Sequence, residues 1–330
     1  MMAAEAVCLD PRPASYDSYQ GLLLSDSLKT KAKEELHEDE SSRDSSIAQV
    51  REFIAKHPQI VRCRTDAAFL LMFLRSRKYN VVAACQLLES ALTIVTQNPQ
   101  CFQVRDSVEE LNRFIDYKVL VPMGYGPEDQ LFVVFRAVAA DVSWMTAAMF
   151  IKYAYVALMI HAHEDRFQIG GVDIVIDLSG ITMSYMTLWT MADINLLMTA
   201  ANKALPIRLR KACIVGLPAI GVMVINTCLS LASDKIRKRI EFHKSIDDLK
   251  AAIDESVLPD IYGGKQSLEE ANERFRQKVL EQRERILKHA EMTIDLSIPN
   301  PNSKNPANAA LQSSVVDESV IGSFRKLNVD

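Results

Sequence analysis

The sequence predicts an α/β protein in which a small all-helical bundle precedes a domain built on a largely parallel sheet. Three observations carry this. Apolar residues recur at threes and fours across residues 45–97, and this helical period then gives way to short β-rich runs. Those runs, at 131–138, 172–177 and 212–217, are separated by stretches long enough for helices. Strand, helix, strand, helix, strand implies βαβ crossovers and parallel neighbours. Finally, 48% of the chain is hydrophobic against 24% charged, enough to bury a sizeable core.

Each element has its own reason. Residues 1–44 hold ten acids against five bases and read as an acidic, mostly flexible tail, with a helical stretch possible at 29–37. Residues 45–100 form the bundle. Phe69 and Phe73 lie four apart on one helical face, as do Leu70 and Leu74. Val81, Ala84, Cys85, Leu88, Ala91, Leu92 and Val95 continue the period, with Asn80 as N-cap. Residues 101–266 form the α/β domain. A turn at Gly124-Tyr-Gly-Pro127 leads into strand 131–138. A helix over 143–163 and strand 172–177 follow, the latter closed by Ser179-Gly180. Helix 191–204, strand 212–217 and an apolar helix over 221–232 complete the domain. Residues 267–297 carry a charged C-terminal helix, and 298–330, rich in Asn, Pro, Ser and Ala, read as a disordered tail.

Several function classes are disfavoured. A net charge of −4 argues against a general nucleic-acid binder. The six cysteines are scattered with no Cys-x-x-Cys pair, which points to a reducing compartment and away from zinc. Glu5 and Asp10 fall where a signal peptide needs a basic and then an apolar region. The apolar run at 146–160 contains Lys152, and that at 212–225 is broken by Pro218, so neither reads as a membrane span. No P-loop, Gly-x-Ser-x-Gly or His-Glu-x-x-His occurs. His161 and His163 lie two apart, which on a helix aims them about 200° apart, so they read as a polar helix end. Asp177 closes a strand without a matched base or nucleophile and reads as a turn residue. The expectation is a protein with no catalytic residue, no cofactor and no metal, and therefore not an enzyme.

Two features ask for a function. The helices over 146–160 and 220–231 are apolar on nearly every face; such a helix is either fully buried or meets lipid. The segment 203–244 holds nine bases (Lys203, Arg208, Arg210, Lys211, Lys235, Arg237, Lys238, Arg239, Lys244) against two acids, a local charge of +7. These bases flank the apolar helix, a pattern suited to docking on an anionic lipid surface.

At these residues the chain resembles the CRAL-TRIO family of lipid carriers, over roughly residues 45–265. The bundle contributes Phe69-Leu-Leu-Met-Phe-Leu-Arg-Ser-Arg-Lys-Tyr79. The second domain contributes Val175-Ile-Asp-Leu-Ser-Gly180, Leu205-Pro-Ile-Arg-Leu-Arg210, Asp234-Lys-Ile-Arg-Lys-Arg239 and Leu258-Pro-Asp-Ile-Tyr-Gly-Gly264. Within the family the likeness is greatest to the α-tocopherol carriers and their arthropod relatives. The resemblance implies a CRAL-TRIO lipid-binding domain whose helix near 220–232 is a lid. It implies a ligand pocket lined by Ile151, Ala154, Leu158, Val172, Ile176, Leu197, Ala200, Ala201, Leu205 and Ile207, all apolar. It implies phosphoinositide contacts at Arg75, Arg208, Arg210, Lys235 and Arg239, with phosphatidylinositol bisphosphate the expected head group.

The function so implied is transfer of one hydrophobic ligand, tocopherol- or retinoid-like, at phosphoinositide-containing membranes. The expected protein is a monomer, cytoplasmic and transiently at membrane surfaces, with no nucleic-acid partner. A phosphoinositide-responsive sensor without net transport is the alternative. Four sites depart from the family. Ala154 and Leu158 stand where the tocopherol carrier has serine, the lid reads Leu229-Ser-Leu231 in place of Lys-Pro-Phe, and Ile261 stands where glutamate is common.

Overall fold

Polar caps start the helices that the apolar period predicts. The Asp66 carboxylate accepts from the Phe69 amide at the head of Ala67–Ser76, and Asn80 accepts from Ala83 at the head of Val81–Gln97. Thr146 does the same for Ala147–Met159. Thr190 and Asp193 cap each other reciprocally at the start of Met191–Lys203. The computed structural model describes residues 25–299.

The expected acidic tail is a helix where it is described. Asp26–Leu36 is capped by Ser25, and Leu28, Ala32 and Leu36, four apart, bury one face against Ile169. A second helix, Glu40–Lys56, starts five residues before the predicted bundle because Asp39 caps it. The helical stretch expected at 29–37 thus begins three residues earlier, and the helical period expected from Ser45 begins five residues earlier. Residues 1–24, and the expected C-terminal tail beyond 299, lie outside the described residues. The charged C-terminal helix breaks at Gln282 into Leu268–Glu281 and Arg283–His289.

Among the described residues seven strands form two sheets. β1 (Ile60–Arg62) pairs antiparallel with β7 (Thr293–Ile294) and ties the C-terminal segment to the bundle. The main sheet contains β2 (Leu120–Tyr125), β3 (Leu131–Arg136), β4 (Val172–Asp177), β5 (Leu209–Val215) and β6 (Ile240–His243), in that spatial order. β2 and β3 form a hairpin; every other pairing is parallel. The sequence reading missed β2 and β6. The turn expected at 124–127 lies slightly later, where the Gly126 amide bonds the Gln130 carbonyl, and β2 precedes it. β6 has only four residues and carries Glu241 on a sheet edge, which blunts its hydrophobic signal.

The strand order places the helices. β3, β4, β5 and β6 step in one direction, so crossovers of one hand put all their helices on the same face. That face carries Leu131, Val133, Val172 and Ile214 in the larger core, shared with the bundle and with Ala147–Met159. The opposite face carries Phe132, Val134, Val175, Cys213 and Val215, packed with Leu249, Leu258, Leu268 and Ala271. Cys63, Cys85, Cys101 and Cys213 are buried free thiols.

Candidate functional site

The first part of the site is an apolar layer between β4 and the crossover helices. Helix Ala147–Met159 presents Ile151, Ala154 and Leu158, spaced by three and four so that they share a face. β4 contributes Val172 and Ile176, helix Met191–Lys203 contributes Leu197 and Ala200, and the following loop contributes Leu205 and Ile207. All of these join one continuous apolar cluster. Ala201, expected beside them, is partly buried and stands outside it.

Several side chains of the layer are only partly buried. Val175 on the far face of β4 is fully buried, yet Ile174 and Ile176, beneath the helices, are only partly so. In helix Met191–Lys203 only Ile194 and Ala200 are buried. Helix Val222–Leu231 packs along it and has no buried residue, although it is apolar through most of its length. Met223 is 69% exposed, and Val222 and Leu231 are exposed too. Covering such partly wetted apolar side chains gains roughly 25 cal/mol per Å². A small cavity lies at the layer's edge towards the bundle, beside Tyr155, with Phe69, Phe73, Leu88, Leu205 and His289 in its wall. At about 20 Å³ it has room for one water.

The second part is a cationic groove beside that helix. Lys235 leads the short helix Asp234–Arg237, capped by Ser233. Burial lowers its pKa, and the charges of Arg239, Arg77, Lys78 and Arg208 lower it further. Arg239 is lowered likewise by burial and by Arg208. Neither Lys235 nor Arg239 pairs with a carboxylate among the described residues; Arg239 donates to the Leu209 carbonyl. Arg208 donates to the Ile169 carbonyl and, at 2.6 Å, to Glu35. Arg210 bonds Glu128 at 2.7 Å and lies 3.8 Å from Asp173.

Arg75 departs from its expected role. It is fully buried, with bonds to Glu38, Asp165 and Gln168, and cannot face a head group as placed. Its position four residues after Leu71 puts it on an inward face. The chain then reverses: Lys78 and Tyr79 adopt left-handed φ values of 52° and 59°, and the charges of Arg77 and Lys78 bear on Lys235. Arg77 and Lys78 are the bases that the sequence reading missed. The signal was the helix end at Ser76, beyond which spacing on a helix no longer assigns a face.

The remaining polar clusters have structural partners. The Tyr262 hydroxyl donates to Asp177 at 2.5 Å and the Ser179 amide donates to it at 2.9 Å, which makes Asp177 the turn residue expected. His161 lies beyond the helix end and bonds Glu164 at 3.2 Å and Lys278 at 2.9 Å. Cys213, Glu241 and His243 bring one donor each within 4.8 Å of one another. Lys211 already holds Glu241 at 3.0 Å, so an ammonium stands where a cation would sit. Among the described residues no single helix is long and apolar enough to cross a membrane.

A mostly parallel sheet with its crossover helices on one face, an apolar layer beneath them and an exposed apolar helix beside it frame the comparison with known proteins. Residues 115–264 match the CRAL/TRIO domain. The chain carries a CRAL/TRIO domain. Its similarity to known members runs further along the chain. Rat and human clavesin-2 are each 26% identical over 247 residues, covering 73% of this chain and 75% of theirs. An alpha-tocopherol transfer protein-like protein of Pongo abelii is 25% identical over 243 residues, 73% of this chain and 71% of that one. CRAL/TRIO domains bind and transfer small lipophilic ligands.

Proposed function

We propose that the protein carries one hydrophobic ligand, tocopherol- or retinoid-like, between β4 and helix Val222–Leu231, and exchanges it at phosphoinositide-containing membranes. The observation that carries this is the pairing of an apolar helix with no buried residue and an adjacent cation cluster whose Lys235 and Arg239 have no carboxylate partner among the described residues. The helix closes over ligand in water and turns its apolar face to the bilayer when open. Lys235, Arg239, Arg208, Arg77 and Lys78 attract a phosphorylated inositol head group, and Arg210 joins them once Glu128 yields. Membrane affinity then biases the helix towards its open state, because the open state alone presents its apolar face to lipid.

The pocket lining is apolar throughout, so it suits a ligand with little polar surface; an unpartnered hydroxyl there would cost several kcal/mol. The similarity to an alpha-tocopherol transfer protein-like relative supports a tocopherol-like ligand. Ala154 and Leu158 leave its hydroxyl without serine partners, which favours the more apolar candidates. No bond is made or broken in this cycle, and the protein acts as a peripheral, monomeric carrier.

The test is transfer of a fluorescent tocopherol between vesicles with and without phosphatidylinositol bisphosphate. Lys235→Ala with Arg239→Ala should slow transfer to the phosphoinositide vesicles while leaving loading intact. Ala154→Trp should abolish loading by filling the layer. Undiminished loading of that variant would place the ligand elsewhere. Phosphoinositide binding without transfer would make the protein a sensor.

A further inference from the structure

The charged helix Asp26–Leu36, with three acids and three lysines, reaches the cationic groove from outside the domain, and three contacts fix it there. Leu28, Ala32 and Leu36 pack on Ile169. The Lys31 ammonium donates to the Glu128 carbonyl at 2.8 Å. The Glu35 carboxylate accepts from Arg208 at 2.6 Å. Two residues past the helix, Glu38 is buried on Arg75 and Arg43.

We propose that Glu35 is an internal stand-in for a head-group phosphate, so that helix Asp26–Leu36 is an autoinhibitory strap over the cationic groove. This rests on the reading of that groove as a phosphoinositide site. A carboxylate and a phosphate oxygen ask the same thing of a guanidinium, a short charged bond, and Arg208 cannot make both with the same nitrogen.

The contacts divide into a permanent and a releasable set. Glu38 and Arg75 are both buried, and their pairing anchors the C-terminal end of the strap. Glu35 and Arg208 are 47% and 21% exposed, so water and salt screen them and the bond is easily exchanged. The helix itself has one narrow apolar stripe, Leu28, Ala32 and Leu36, and otherwise faces solvent. A head group that takes Arg208 therefore displaces a weak latch, and the strap swings about an anchor that stays in place. Arg210 is held in the same way by Glu128, whose backbone carbonyl takes Lys31, so releasing the helix also loosens the loop that occupies Arg210.

The experiment uses the full chain and vesicles of phosphatidylcholine, with and without phosphatidylinositol bisphosphate, alongside soluble inositol trisphosphate. Glu35→Gln should bind the phosphoinositide vesicles and the soluble head group roughly two- to fivefold more tightly than the parent at low salt. The gain should vanish in Glu35→Gln with Arg208→Ala. Backbone hydrogen exchange across 26–36 should rise when the head group is added to the parent protein. Parent-like affinity of Glu35→Gln together with unchanged exchange would overturn the strap while leaving the groove intact. If the parent and Lys235→Ala with Arg239→Ala bind all vesicles alike, the head-group reading itself fails, and exchange at 26–36 will also stay unchanged.

Discussion

Glu38 grips Arg75 across 37 residues of chain, with Nε to Oε2 at 2.7 Å and Nη2 to Oε1 at 2.8 Å. Asp165 and Gln168 take the remaining amino group, so one guanidinium joins the N-terminal segment, the bundle and the start of helix Asp165–Gly170. Removing one partner from a buried ionic network leaves an uncompensated charge. Arg75→Met should therefore lower the unfolding free energy by about 3–5 kcal/mol in urea titrations. Arg208→Ala, whose ion pair is partly exposed, should cost less than about 1 kcal/mol. Similar small losses for both would contradict a structural role for Arg75.

Tyr262 closes the domain from the other side. Its hydroxyl donates to Asp177 at the end of β4, and burial followed by the Asp177 charge pushes the phenol well above its ordinary value. Tyr262→Phe keeps the ring packed and deletes only the bond. It should cost about 1–3 kcal/mol, since a buried carboxylate oxygen loses a donor. A neutral substitution would mean that water replaces the hydroxyl.

These two residues show what the sequence made legible. Asp177 was readable because a strand end followed by Ser179-Gly180 needs a side chain to organise the turn, and the crossovers were readable from three apolar strands in series. Arg75 misled because family likeness carries a residue type to a position without saying which way the helix turns it. The helix at 29–37 was legible, but its docking was not, since its buried face is three residues wide and lies among charges. β6 was hidden by its length and by Glu241. The cationic groove needed three dimensions: Arg77 and Lys78 are more than 150 residues from Lys235 in sequence and act on it only after the chain reverses.

Acid should weaken the fold earlier than carboxylates alone predict. Burial, reinforced by nearby Arg285, lowers His163 from 6.5 to about 4. Burial, reinforced by Arg64, lowers His289 from 6.5 to about 3. Burial raises Glu164, but bonds and charge from His161, with further bonds from Lys278 and Tyr125, outweigh it and bring Glu164 to about 2. All three folded values lie below the unfolded ones. Their contributions are complete above the unfolded pKa and are lost as pH falls through the folded value. The histidine contribution is thus complete above about 6.5 and declines towards 4 and 3; that of Glu164 declines between 4.5 and 2. Between pH 6 and 4 the unfolding free energy should fall by roughly 2–3 kcal/mol per pH unit, the slope of two protons taken up on unfolding. Urea midpoints that stay flat from pH 6.5 to 5 would show that both imidazoles titrate normally.

The exposed helix beside the groove makes its own prediction. Met223, at 69% exposure, and Val222 project from helix Val222–Leu231, where no residue is buried. In water that surface has nothing to gain from exposure, whereas at a bilayer each such side chain recovers about 1.5–3 kcal/mol on leaving water. Met223→Asp replaces that gain with the cost of bringing a charge to an anionic surface. Vesicle binding should fall by about tenfold or more, while the variant keeps the parent's thermal stability, because Met223 packs against little in the closed form. Its affinity for soluble inositol trisphosphate should be unchanged, since the groove bases are untouched. If Met223→Asp binds vesicles as well as the parent does, electrostatics alone carry the docking, and the helix stays shut at the membrane.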